Sequence, residues 1–243
     1  PQADRCAMKA TVSLVSEDAI LLSLGDRIDE QLTPRIALLC EQIEASLGPR
    51  LLDMVPSYTT ILCTYDPLTT DTGRLKRDLE RLVAHWATET STPTWQASIT
   101  TSDSVPLHQI PVFYSPEVAP DLEAHARACS LSVAELIEIH AAGTYQVFAV
   151  GFSPGFGFLG QVDRRIAGPR KATPRTRVPR GAVGIADRQT AVYPVASPGG
   201  WQLIGRSPSV LFDERTLAVL KVGDRVRFFP LSRHEYLALG GEL

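Results

Sequence analysis

The chain has 243 residues, 44% hydrophobic and 21% charged, the balance of an ordinary globular protein with room for one large or two small domains. No apolar run reaches the roughly 20 residues that a helix needs to cross a membrane, and the first residues lack the order of a secretory signal, so a cytoplasmic location without a membrane partner is expected. The formal net charge is −3, which with the lack of a recognised binding motif argues against nucleic acid as a partner.

The four cysteines, Cys6, Cys40, Cys63 and Cys129, stand far apart with no C-x-x-C pair. Structural zinc takes closely spaced ligands, so no metal site is expected. Cys40 and Cys63 lie among apolar residues and read as small buried hydrophobes.

Thr11–Val15 and Ile20–Leu24 are short apolar runs separated by Ser-Glu-Asp, the pattern of a hairpin. A helix follows, with Thr33 as its expected cap, Pro34 in its first turn and Gly48-Pro49 as its stop. Ile36, Leu39, Cys40, Ile43 and Leu47 recur at helical spacing and form a core stripe. Leu51–Val55 and Tyr58–Tyr65 read as two strands joined at Pro56-Ser57, and Asp71–Ala87 as a second amphipathic helix. The order β-β-α-β-β-α fits a small α+β domain over residues 1–95, with both helices on one face of an antiparallel sheet. Nothing in this half points to chemistry.

Between Thr88 and Val105 the chain turns rich in Thr, Ser and Pro, which marks a linker, although Trp95–Ile99 has strand character. Leu107–Tyr114 is strand-like, and two short helices follow at Pro120–Ala128 and Val133–Ala142. The second begins with Ser132 and Glu135 in a capping-box arrangement. From Tyr145 the pattern is almost all β: Tyr145–Phe152, Ala182–Ala186, Thr190–Ala196, Trp201–Gly205 and Val226–Phe229, separated by Gly/Pro turns. That spacing predicts a closed or partly closed antiparallel barrel over residues 96–243.

Gly151–Pro208 is the densest stretch in glycine, proline, arginine and aromatic residues. Gly160 to Thr190 carries eight basic residues against two acidic, a net of +6, which favours an anionic ligand or an acidic partner surface. Gly151-Phe-Ser-Pro-Gly-Phe-Gly-Phe-Leu-Gly160 lacks the Gly-Lys-Ser/Thr ending of a phosphate loop, and no helical pattern follows it. Its glycines read as turn formers that present Phe152, Phe156 and Phe158 to core or pocket. Arg175 and Arg177 stand two apart in a proline-braced segment. If it is extended, both guanidinium groups point to one side, either as a clamp for carboxylate or phosphate or as structural partners of backbone carbonyls. Gln189, Thr190 and Ser197 bracket a strand that contains Tyr193, positions suited to orienting a small polar ligand. Ser197 has no Gly-x-Ser-x-Gly context and is no hydrolase nucleophile. His140 lies on the apolar side of its helix, as a packed core-edge histidine or as a proton carrier.

Five stretches in one order then carry a resemblance: His140–Tyr145, GFSPGFGFLG at 151–160, PRKATPRTRVP at 169–179, VGIADRQTAVYP at 183–194 and SPGGWQLIGRSP at 197–208. With PEVAPDL before the first short helix and VGDRVRFFP near the end, they cover most of residues 110–230. The chain resembles the allophanate hydrolase subunit 1 family, which includes the B subunit of 5-oxoprolinase and KipI-type inhibitors of a histidine kinase. The resemblance implies a small α+β domain followed by a cyclophilin-like β-barrel. It also implies work in complex with an A subunit plus a homologous C subunit, turning the lactam 5-oxo-L-proline into L-glutamate at the expense of ATP. No nucleotide motif is present in this chain. In that setting Arg175 and Arg177 would neutralise an anionic substrate, and Gln189, Thr190 and Ser197 would orient its amide and carboxylate. His140 would handle a proton, while Phe156, Tyr193 and Trp201 would wall the site. Docking on a histidine kinase is the alternative, and prolyl isomerase activity, suggested by the barrel alone, ranks last.

Overall fold

A computed structural model describes residues 10–27, 32–89, 105–215 and 217–243. The chain divides into two compact units, Pro1–Ser104 and Val105–Leu243. The domain boundary expected at 95/96 and the strand expected at Trp95–Ile99 lie outside the described residues.

In the first unit, β1 (Thr11–Ser16) and β2 (Ala19–Ser23) form a hairpin, followed by α1 (Leu32–Leu47), β3 (Asp53–Ser57), β4 (Thr60–Thr64) and α2 (Thr72–Glu89). β2 pairs antiparallel with β1 and β4, and β4 with β3. Side chains alternate across a strand, so Ile20 and Leu22 of β2 share a face with Ile61 and Cys63 of β4. All four are buried against Ile36, Leu39 and Ile43 of α1 and Leu75, Leu79 and Val83 of α2. Both helices therefore cover one face of the sheet. Burial pushes the Cys40 and Cys63 thiols up to about 12, which keeps them protonated.

Two local expectations are corrected. Thr33 does not cap α1: the helix already includes Leu32, and Thr33 is buried in its first turn with no partner for Oγ1. The β3–β4 turn falls at Tyr58-Thr59, not at Pro56-Ser57. Pro56 sits within β3 opposite Ile61, and Tyr58 takes the positive φ of 52° that the tight turn needs.

The second unit runs β5 (Leu107–Val112), α3 (Leu122–Ala128), α4 (Val133–Ala142), β6 (Thr144–Val150), β7 (Gly157–Gly160), β8 (Arg175–Val178), β9 (Ala182–Ala186), β10 (Gln189–Val192), β11 (Ser197–Gly199), β12 (Gln202–Arg206), β13 (Phe212–Asp213), β14 (Leu217–Ala218), β15 (Arg225–Pro230) and α5 (Arg233–Ala238). Ser132 and Glu135 form the predicted capping box of α4. Pairing runs β5-β15-β6-β7-β10-β9-β12. Beyond the end of β5, Phe113 and Arg206 of β12 exchange two backbone hydrogen bonds of 2.8 and 2.9 Å, which close the sheet on itself. The sheet is mostly antiparallel, but β5 and β15 run parallel, so the all-antiparallel expectation is corrected. The chain between them is long enough to bring either direction alongside.

The glycine-rich stretch 151–160, read as turn-forming, makes a turn up to Phe156 and then continues as β7. Gly160 pairs with Gln146 and Gln189 inside the sheet, and a Cβ there would lie 2.6 Å from the Phe148 ring. That close approach, and not a turn, requires the glycine.

Candidate functional site

β9, β10 and β12 have two unlike faces. Val183, Ile185, Val192 and Ile204 join the main core, together with Leu122 of α3, Leu136 of α4 and Phe228 of β15. Their neighbours in the alternation, Ala182, Ala186, Ala191, Tyr193, Trp201 and Leu203, pack on the other side with Phe156 and Val178. The predicted site residues divide between these faces.

His140 and Thr190 lie on the core side, both fully buried. The Thr190 hydroxyl donates to the Gly184 carbonyl at 3.0 Å and so accepts from His140 Nε2–H at 2.9 Å. Nδ1 is then the acceptor for the Tyr114 hydroxyl at 2.7 Å. The imidazole stacks on Phe228, and Tyr145 donates to the His140 carbonyl at 2.7 Å. Burial lowers the His140 pKa to about 3. The ring is a neutral, fully bonded bridge from α4 to β10, and the proton-carrier role is corrected. Thr190, bonded on the far side of the sheet from the aromatic surface, does not orient a ligand there.

Arg175 and Arg177 leave β8 on the side opposite Val178, as alternation requires, but they do not converge on one anion. Arg175 Nη2 meets both carboxylate oxygens of Asp121 at 2.7 Å. Lys171 Nζ at 2.9 Å and the Leu203 backbone N–H at 2.8 Å complete the shell of that buried carboxylate. Burial raises the Asp121 pKa, and the bonds from Arg175, Leu203 and Lys171 outweigh it and hold the carboxyl below its ordinary value. Arg175 is thus a structural clip between the α3 start and β8. Arg177 is exposed. Gln189 opens β10, opposite Gly160 of β7 and Ala186 of β9.

Phe156, Tyr193, Trp201 and Ser197 do come together. The Phe156 ring lies edge-on to Tyr193 at 5.3 Å and to Trp201 at 5.7 Å between centroids, arrangements that suit the ring quadrupoles. Ser197 opens β11, opposite Val178 of β8. A Cβ on Gly199 would lie 2.3 Å from the Tyr193 hydroxyl, so glycine lets β11 lie on that ring. Burial raises the Tyr193 pKa, opposed by a backbone bond from Trp201 and by Arg170 and Arg175.

Three further features of this surface are not among the predicted site residues. Phe152 is 64% exposed and holds a φ of 71°, a strained value for a bulky residue. Its ring stands edge-on to Phe156 at 5.2 Å and to Tyr193 at 6.4 Å. Arg170 is exposed and stacks over Trp201 at 5.9 Å. Ser153 Oγ, like the predicted Ser197 Oγ, is buried without a hydrogen-bond partner. In the sequence, Phe152 stands among the aromatics offered to core or pocket and Arg170 within the basic 160–190 stretch, while Ser153 is marked by nothing beyond its glycine-rich turn. A separate cleft of about 640 Å³ lies along α4, between Glu135, Glu138, Gln161 and Asp163. No predicted site residue lines it, and Glu135 and Asp163 are bonded to Ser132 and Arg165.

Comparison with known proteins places this architecture. Residues 10–220 match the family described as carboxyltransferase domain, subdomain C and D. The B subunit of the Bacillus subtilis 5-oxoprolinase is 35% identical over 239 residues, with 93% of this chain and 95% of that protein covered. The crystal structure of TTHA0988 superposes with a TM-score of 0.73 at 35% identity over 88% of this chain, which spans 40% of that longer chain. The urea carboxylase of Kluyveromyces lactis shares the fold, with a TM-score of 0.71 at 17% identity over 94% of this chain and 22% of that one. Among the described residues no helix is long and apolar enough to cross a membrane. By the match over most of its length, this chain belongs to the family of carboxyltransferase domains, subdomain C and D.

Proposed function

We propose that this chain is the B subunit of a 5-oxoprolinase, a non-autonomous part of an ATP-consuming enzyme that hydrolyses 5-oxo-L-proline to L-glutamate in the cytoplasm. The observation that carries the reading is the 35% identity to the Bacillus subtilis protein of that name over nearly the whole of both chains. Its partners are the A subunit plus the homologous C subunit. The closed sheet of the second unit fits a cyclophilin-like barrel.

Hydrolysis adds water across the lactam C–N bond, and amide resonance opposes attack on that carbonyl. ATP consumption by the complex supplies the driving force. The 151–160 stretch does not fit a nucleotide: its glycines form a tight turn and β7, with no α-helix N-terminus directly behind them to receive a phosphate. In this reading the companion subunits bind the nucleotide, and this chain contributes a rigid, electropositive surface toward the substrate.

The test is to purify the chain together with both companion subunits and to measure ATP-dependent glutamate release from 5-oxoproline. Turnover that needs all three chains supports the reading. A stable complex that hydrolyses no 5-oxoproline overturns the substrate assignment.

A further inference from the structure

We infer that Ser153 and Ser197, which flank the aromatic cluster that Phe152 and Arg170 also meet, bind a small carboxylate whose ring carries an amide. The inference rests on the lactam reading above and assigns the recognition of that substrate to groups the family resemblance does not bring together.

Buried hydroxyls almost always find a partner within the fold, and one left without is costly. Ser153 Oγ and Ser197 Oγ are both in that state, and both flank one aromatic cluster. Ser153 follows Phe152 and accepts from the Phe156 N–H at 3.0 Å through its carbonyl, while Phe152 and Phe156 both meet Tyr193. Ser197 begins the strand that lies on the Tyr193 hydroxyl through Gly199. In each case an exposed proline follows, Pro154 and Pro198, which removes the next backbone N–H as a local donor. The chain thus holds two hydroxyls in place, and none of the described residues supplies either with a bond.

The rest of the surface defines what would. The turn is fixed by the Gly151 N–H bond to the Phe156 carbonyl at 3.0 Å and by Gly155 at a φ of 79°, where a Cβ would lie 2.7 Å from the Leu211 carbonyl oxygen. That rigidity holds Phe152 outward in its strained conformation, a surface for a flat ring. A hydroxyl both donates and accepts, so two of them match the C=O and N–H of a ring amide. Arg170 lies close enough to the Tyr193 hydroxyl to oppose its raised pKa and carries no ion pair among the described residues, which leaves its guanidinium for a carboxylate.

The experiment compares the assembled enzyme carrying Ser153→Ala, Ser197→Ala, both together, or Arg170→Ala with the parent. Each serine variant is expected to raise KM for 5-oxoproline roughly tenfold, the effect of one lost hydrogen bond, with little change in kcat. Thermal stability should hold or rise, because alanine removes an unpaired buried group. A structural role would lower stability instead. KM unchanged in the double variant overturns the inference and leaves the 5-oxoprolinase reading standing; weakened assembly with intact KM also overturns it and makes the surface an interface with a companion chain. If the parent complex hydrolyses no 5-oxoproline, calorimetric titration of the chain with 5-oxoproline and with 2-pyrrolidinone decides. Saturable binding of 5-oxoproline alone, lost in the double serine variant and in Arg170→Ala, sustains the site. No binding to the parent chain overturns it.

Discussion

The two faces of β9, β10 and β12 are made from alternate residues of the same strands, yet they treat polar groups in opposite ways. On the core side, Tyr114, His140, Thr190 and the Gly184 carbonyl form one directed chain in which every donor has an acceptor. On the aromatic side, two hydroxyls are buried and unpaired, one phenylalanine is strained and exposed, and one arginine stacks on Trp201 without a counter-charge among the described residues. A satisfied network specifies packing. Unsatisfied groups set on a rigid frame are what a binding surface holds in readiness. The lone histidine of α4, chemically the most versatile of the predicted site residues, belongs to packing.

Setting one face against the other yields measurable differences. The largest effect is expected at the clip that braces the aromatic side. Asp121→Ala leaves Arg175, Lys171 and the Leu203 N–H without their shared partner, and breaking a buried pair in this way costs about 3–5 kcal/mol. Urea denaturation reads this directly, and a loss below about 1 kcal/mol would return Arg175 to the candidate clamp residues.

The core side should show itself in pH. His140 is neutral when folded, with a pKa of about 3, against 6.5 for an unperturbed histidine. Its facing groups, Tyr114, Tyr145, Thr190 and Phe228, carry no charge in that interval. Between these values the unfolded chain binds a proton that the folded chain does not. Stability therefore rises with pH through this window, by up to about 1.4 kcal/mol per unit for this group, and levels off above 6.5. Comparing unfolding free energies of the parent and His140→Gln from about pH 4.5 to 7, the range below the ordinary histidine value, isolates the contribution of His140; parallel curves would make His140 accessible to protons after all.

A smaller effect is expected from Thr190→Val, which keeps the volume but leaves His140 Nε2–H without an acceptor, at about 1–3 kcal/mol. Since Thr190 faces the core, KM of the assembled enzyme should not move. A rise in KM without loss of stability would put Thr190 back among the ligand groups and break the division between the faces.

Periodicity reads the elements well wherever local rules govern. The stripes of α1 and α2, the Ser132–Glu135 box and the strands at 182–186 and 226–229 all follow from alternation or helical spacing. β7 is illegible because Gly160 answers to the Phe148 ring and Gly157 to Leu220, contacts with no local signature. The parallel course of β5 and β15 is hidden for the same reason. At the site, the sequence marks the right stretch and the aromatic members Phe156, Tyr193 and Trp201, while nothing in Pro174–Pro179 reveals that Arg175 reaches back to Asp121.

By itself, then, the sequence determined the element types, the family and the stretch of chain that carries the candidate surface, because spacing and turn chemistry are local and leave their mark in order. Only the tertiary structure decided which side of β9, β10 and β12 each polar residue serves. Burial and pairing are properties of what lies across the sheet: Asp121 claims Arg175, Tyr114 and Thr190 claim His140, and nothing among the described residues claims Ser153 or Ser197.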